Sequence, residues 1–214
     1  ALDALEEQMR RSPGNAQVAL SMATILLELK RFDDARKHAE IALASAPAFA
    51  SELLAQIALS EGNLTEAERQ ANAGLALDPR RVQSLMVLSQ VRDRQGRFDE
   101  ELALLDRSLS TVQTYRLPAI RELQFRRGQA LLQLRRAGEA EAAFRAETES
   151  FADNLDAWAS LALVMGTQGR KLDARAVLEA AMKRNPGSSM RELAVESLHM
   201  MGDAEGIRLL SGVR

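Results

Sequence analysis

The sequence has no cysteine in its 214 residues, which excludes disulfides, thiol nucleophiles and cysteine-based zinc sites. Aromatic residues amount to 4%, with a single tryptophan and a single tyrosine. No apolar run approaches the eighteen or so residues of a membrane-spanning helix, so no span is expected within these residues. Neither sign of charge dominates, and the formal net charge is −2. A chain that grips phosphates carries a basic stripe, so no nucleic-acid partner is expected. Histidine is nearly absent as well: His38 and His199 stand far apart, and there is no HExxH metal motif. The glycines mark turns and close contacts and build no phosphate-cradling GxxxxGK[ST] loop. Neighbouring acids such as Asp33–Asp34 splay to different faces of a helix. These absences leave no catalytic residue, no metal ligand and no cofactor site to propose.

What is present is alanine and leucine. The chain is 46% hydrophobic, enough to bury a sizeable core, and its few β-branched residues favour helix throughout. The stretch GNLTEAERQANAGLALDP, residues 62–79, is a turn, a helix of small residues and a proline stop. Its Ala67 has counterparts in Ala35, Glu101, Ala140 and Ala174, at successive spacings of 32, 34, 39 and 34 residues. Twelve positions before each stands a small residue: Ala23, Ala55, Ser89, Gly128 and Ala162. Five before lies a turn position, at Lys30, Gly62, Gly96, Arg135 and Gly169. Proline recurs twelve after, as Pro47, Pro79 and Pro186.

A period near 34 with this content means two helices per repeat, stacked on their neighbours. Small side chains at the recurrent positions let paired helices approach, and a larger residue would overpack the contact. The pattern resembles the tetratricopeptide repeat family over nearly the whole chain. It is fullest in residues 156–186, where Trp158, Leu161, Ala162, Met165, Gly169, Ala174, Leu178, Ala181 and Pro186 all fit. The resemblance implies an all-α, right-handed α-solenoid of stacked antiparallel helix pairs.

Residues 1–15 read as the second helix of a truncated preceding repeat, or as an N-terminal cap. Repeats follow at 16–47, 48–81, 82–118 (with an extended connector), 119–154 and 155–188. Residues 189–214 form a degenerate capping hairpin in which Met190, Met200 and Met201 are expected to pack. All belong to one solenoid domain. Thr65 with Glu68, and Ser189 with Glu192, have the spacing of capping boxes. Thr65 also completes an Asn-Leu-Thr sequon, though capping is the preferred reading. The second helix of the third repeat is expected to run on, with Pro118 opening the next first helix. Trp158 is expected in the core, with ligand stacking as the alternative.

In the family that this chain resembles, first helices line a concave groove. The inward register contains Thr24, Gln56, Gln90 and Gln129, eleven positions before successive anchors. Each amide both donates and accepts, which suits the main chain of an extended peptide. The alternative is that glutamine is a good helix former that wets the surface. Apolar contact in the groove would come from Leu53, Met86, Val87 and Phe125, beside one inward cation, Arg126. The function expected is a scaffold that binds an extended peptide or a helix of a partner protein, within a larger bacterial protein. The alternatives are self-association into a homo-oligomer, and an accessory array fused to an enzyme. The lack of cysteine suits bacterial cytoplasm and periplasm equally.

Overall fold

The structure, a computed structural model, describes residues 2–211. The described residues form thirteen helices and no strand. None of these helices is long and apolar enough to cross a membrane. The chain divides into two compact units between Leu117 and Pro118.

The first unit comprises α1 (Leu2–Arg11), α2 (Ala16–Glu28), α3 (Phe32–Ala42), α4 (Pro47–Ser60), α5 (Leu64–Leu77), α6 (Val82–Arg94) and α7 (Phe98–Thr114). Short turns fold α2 onto α3, α4 onto α5 and α6 onto α7, and the first helices α2, α4 and α6 also meet one another in sequence. The recurrent small residues are the reason the pairs close. Ala23, Ala35 and Ala39 have no exposed surface and share one apolar cluster with Val18, Met22, Leu26 and Ile57. Ala55, Ala67 and Ala71 do the same with Leu85, Leu88 and Val91. Each large side chain so buried contributes about 1.5–3 kcal/mol. Gly74 shows how tight the fit is. A Cβ there would lie 3.1 Å from the Ser84 hydroxyl and 3.4 Å from the Ala48 carbonyl. Thus α5 presses on the start of α4 and on α6. By contrast α1 buries no residue and rests on the first cluster through Leu2, Leu5 and Met9.

The turns inside helix pairs follow one plan that the capping-box reading missed. A left-handed residue (Lys30, Gly62, Gly96, and in the second unit Arg135 and Gly169) precedes the N-cap. The N-cap itself is usually arginine, clasping an acid three residues on. Arg31 binds Asp34 at 2.7 Å, Arg97 binds Glu100 at 2.7 Å, Arg136 binds Glu139 at 2.7 Å and Arg170 binds Asp173 at 2.8 Å. The acid at the third position favours the positive end of the helix dipole, and the guanidinium anchors it. At α5 the cap is Asn63, whose side chain accepts from the Glu66 N–H at 3.1 Å. Thr65 is therefore not the cap; it lies inside the first turn.

The second unit comprises α8 (Leu123–Gln133), α9 (Ala137–Ser150), α10 (Leu155–Thr167), α11 (Lys171–Arg184), α12 (Ser188–Met200) and α13 (Ala204–Ser211). Its pairs are α8/α9, α10/α11 and α12/α13. The second helix of the third repeat does run on, reaching Thr114, but Pro118 does not open the next one. That helix begins at Leu123, after Glu122 adopts a left-handed conformation with φ of 66°. A buried carboxylate fixes this start. Glu147 Oε1 accepts from the Glu122 N–H at 2.7 Å and from the Asn154 side-chain amide at 3.0 Å. Trp158 packs in the core, 6% exposed, with its indole N–H donating to the Ala152 carbonyl at 2.9 Å.

The terminal hairpin departs from expectation at its cap. Gly187 is the N-cap of α12, without a side-chain bond, so the Ser189–Glu192 box does not form. Met190 is buried, and Met201 lies against Gly166, where a Cβ would overlap its sulfur. Met200 is 60% exposed and does not pack. Asp203 joins α13 to the body of the unit: it receives two bonds from Arg175 and accepts from the Gly206 N–H at 3.2 Å. Hydrogen bonding by the Arg175 guanidinium holds the Asp203 carboxyl below the usual carboxylate range.

Candidate functional site

In the first unit, Gln56 on α4 and Gln90 on α6 occupy the same register one repeat apart, and both are half-buried. Gln90 donates to the Met86 carbonyl of its own helix at 3.2 Å, which leaves its carbonyl oxygen as an acceptor. Thr24 on α2 is exposed, with its hydroxyl turned back to the Leu20 carbonyl at 2.9 Å. In the second unit, Gln129 is exposed, while Phe125 and Arg126 on the same helix are half-buried. Phe125 packs its ring against Phe144 at a centroid distance of 5.8 Å. Arg126 reaches back to Glu122 at 3.1 Å.

The apolar share of the expected groove needs correction. Leu53, Met86 and Val87 are 7%, 5% and 2% exposed, and Leu53 and Val87 belong to the core clusters. They have little surface left to offer a ligand. The reason lies in how α4 and α6 pack. The helix α4 packs on its partner α5 and on α2, α3 and α6, and α6 packs on its partner α7 and on α4 and α5, so most of the residues of each are buried. The outward face is narrower than the i, i+3, i+4 rule allows. The polar positions stay accessible, and with them the ring of Phe49 in the first turn of α4.

A second set of exposed side chains gathers where one pair joins the next in the first unit, with Phe49 in the first turn of α4. The Arg81 guanidinium lies over the Phe49 ring, 3.6 Å from its centroid, and forks onto Glu52 at 2.9 and 2.6 Å. Phe49 remains 54% exposed. Arg80 approaches the Tyr115 ring at 5.7 Å and binds Asp78 at 3.0 Å, and Tyr115 is 52% exposed. Hydrogen bonds from the side chain and then the backbone of Arg80 hold the Asp78 carboxyl below its ordinary range. The signal was in the sequence: Phe49, Arg81 and Tyr115 each stand fourteen residues after an anchor.

Among the described residues, no three His, Asp or Glu side chains are placed to hold a metal ion. One surface cavity of about 450 Å³ lies between Met9, Pro13, Met22 and His38. Another of about 500 Å³ lies at the start of α12, beside Met182, Pro186 and Arg191. Neither contains any residue of the expected groove.

The tetratricopeptide repeat family model matches residues 20–76, 52–115 and 122–193. No curated protein matches the chain. Among solved structures, a thermophilic TPR protein of Thermus thermophilus, TTC0263, is 24% identical over 86% of this chain and 99% of its own, with a TM-score of 0.64. YrrB, described as a TPR protein with an unusual peptide-binding site, is 18% identical over 94% of this chain and 100% of its own, with a TM-score of 0.60. PilW, a type IV pilus biogenesis factor, is 17% identical over 92% of this chain and 90% of its own, with a TM-score of 0.74. At these identities the likeness shows the fold alone.

Proposed function

Since the chain belongs to the tetratricopeptide repeat family, whose fold is a scaffold for protein–protein interaction, we propose that it holds an extended peptide or a helix of a partner protein. The surface is the groove that first helices line in this family, with the amides of Gln56 and Gln90 as its recurring contacts in the first unit and Gln129 at the equivalent position of the second. The observation that carries this reading is the pair in the first unit. Gln56 and Gln90 stand at one register on neighbouring helices, accessible, above side chains that are committed to the core. A peptide unit beside each amide can accept its N–H and donate to its carbonyl. The peptide-binding site named for YrrB, a relative in fold, is in keeping with the proposal.

The strength of such a site follows from its composition. Each hydrogen bond nets about 0.5–1.5 kcal/mol, so the two amides of the first unit supply about 1–3 kcal/mol. Micromolar binding needs about 8 kcal/mol. With Leu53, Met86 and Val87 buried, apolar contact on this face is left to Phe49, and the amides alone give weak, sequence-tolerant capture. Strong binding would need a second contact.

The test uses extended peptides selected from a random display library against the chain, measured by fluorescence anisotropy. Gln56→Ala combined with Gln90→Ala is expected to weaken binding at least about fivefold with unchanged far-UV circular dichroism. Equal affinity for both forms removes the amides from the reading.

A further inference from the structure

Helices α1, α2 and α3 meet around the surface cavity of about 450 Å³, and each contributes a soft donor to its lining: the thioethers of Met9 and Met22 and the imidazole of His38. The repeat shows that these three positions converge. Two repeats on, 66 residues after each, stand Leu75, Leu88 and Leu104, and these pack in one apolar cluster. There the second helix of one repeat is joined to both helices of the next by leucine alone. At the junction of α1 with α2 and α3, the same three places hold two sulfurs and a nitrogen. Met22 is 3% exposed in an apolar cluster against which Met9 packs. His38 is half-buried, and its Nδ1 is enclosed without a hydrogen-bond partner. A leucine would fill that place without the cost of an unsatisfied buried nitrogen.

We propose that Met9, Met22 and His38 bind one copper(I) ion. Thioether sulfur is a soft, uncharged donor that selects Cu(I) over the harder divalent ions, and imidazole suits copper as well. Zinc instead takes thiolate, imidazole and carboxylate, and the chain has no cysteine. Unbranched methionine is free to turn its sulfur onto an ion. The charge fits too. Met9 stands in the last turn of α1, at the negative end of its dipole. Glu6 lines the same cavity, whereas Arg10 is paired with Glu7 at 3.0 Å. Because the donors come from three helices, the ion has a structural consequence. The helix α1 buries none of its residues, and a bond from Met9 to an ion held by α2 and α3 would fasten it to the unit. Such a site has no signature in the spacing of histidine, cysteine and carboxylate, because two of its three donors are thioethers. It shares no residue with the proposed groove and does not depend on it.

The test titrates the full chain with Cu(I), kept reduced by ascorbate in the absence of oxygen, in competition with the chromophoric chelator bicinchoninate. One ion per chain is expected. Met9→Leu, Met22→Leu and His38→Leu should each lower the affinity about tenfold or more, since even outer-shell changes cost a metal site that much, and all three together should abolish binding. Each places leucine where the third repeat already carries it, so folding is expected to hold, as far-UV circular dichroism checks. His199→Gln with Met200→Leu, which removes an exposed adjacent pair on α12, should change nothing. On the unaltered chain, whose result stands even if a variant misfolds, excess Zn(II) should leave the Cu(I) bound. Ag(I), a soft monovalent stand-in, should slow amide hydrogen exchange across residues 2–11 in the unaltered chain and not in the triple variant. A chain that binds no Cu(I), undiminished affinity in the triple variant, or loss only in the His199 and Met200 variant overturns the proposal. So does displacement by Zn(II), or exchange across residues 2–11 that Ag(I) leaves unchanged.

Discussion

The strongest test of the packing logic is a single methyl group at Gly128. A Cβ there would sit 2.5 Å from Phe144 Cε1 and 2.7 Å from Cδ1 and Cζ, against about 3.5–4.0 Å for a comfortable carbon contact. Phe144 is fully buried, so its ring has nowhere to retreat without moving its neighbours. Overpacking of this kind costs about 1–3 kcal/mol. Replacing glycine by alanine in a helix interior returns about 1 kcal/mol. The net expectation for Gly128→Ala is a loss of up to about 2 kcal/mol. Gly138→Ala, in a helix with nothing within 4 Å of the new carbon, should instead gain about 0.5 kcal/mol. The other repeats point to the rescue. Where Gly128 faces Phe144, Ser89 stands in register with Leu105 and Ala162 with Leu178, all buried. Gly128→Ala combined with Phe144→Leu should therefore recover much of the loss, with a coupling of about 1–2 kcal/mol. Urea unfolding followed by Trp158 fluorescence reads the second unit directly, because Trp158 is the only tryptophan. A stack of helix pairs need not unfold in one step, so the comparison is of the shift in that one transition. Stabilisation by Gly128→Ala, or a coupling near zero, would refute the idea that these pairs are matched by volume.

Two further outcomes follow from the turns and the terminal hairpin. Lys30 and Arg135 hold φ of 58° and 59° where the equivalent turns use glycine; Lys30→Gly and Arg135→Gly should each raise stability by up to about 1 kcal/mol, read by thermal unfolding, while Gly96→Ala should lower it by a similar amount. The Asp203 carboxyl is held below its unfolded value by Arg175, so the stability it gives is fully present above about pH 4 and is lost as pH falls through the lower folded value. Hydrogen exchange across residues 188–211 should therefore quicken on acidification before the rest of the second unit, and Asp203→Asn should remove that acid dependence while leaving the hairpin weaker at neutral pH.

The parts of the fold that were legible are those set by volume at a fixed interval. Ala23, Ala55, Ser89, Gly128 and Ala162 could be found without a structure because every hairpin needs the same close approach, and all five are buried. What repeats only in chemistry was harder to see. Arginine at the N-cap with an acid three residues on recurs at Arg31, Arg97, Arg136 and Arg170, yet a search for Ser, Thr, Asp or Asn caps passes over it. Glu147 sits where other repeats place small residues. Its role, holding Glu122 and Asn154, comes from a connector that occurs once, and no period can reveal a contact of that kind.

The candidate surfaces were legible only in part, for a reason of geometry. Helical spacing assigns a residue to a face about 100° wide, and the first helices here leave exposed a strip narrower than that. Leu53, Met86 and Val87 fell inside the predicted face but outside the strip, whereas Gln56 and Gln90, one helical turn away, fell within it. Phe49, seven residues before Gln56 on α4, also lies on the predicted face and stays exposed. What helical spacing does not reveal is the guanidinium beside each ring: Arg81, the N-cap of α6, lies over Phe49, and Arg80 approaches Tyr115. Since the amides alone are too weak to hold a partner tightly and Phe49 carries exposed apolar area on the same helix, a partner that touches both would gain the local-concentration advantage of two linked weak contacts. Affinity that falls multiplicatively when Gln56→Ala and Phe49→Ala are combined, each being mild alone, is the signature that one ligand touches both side chains.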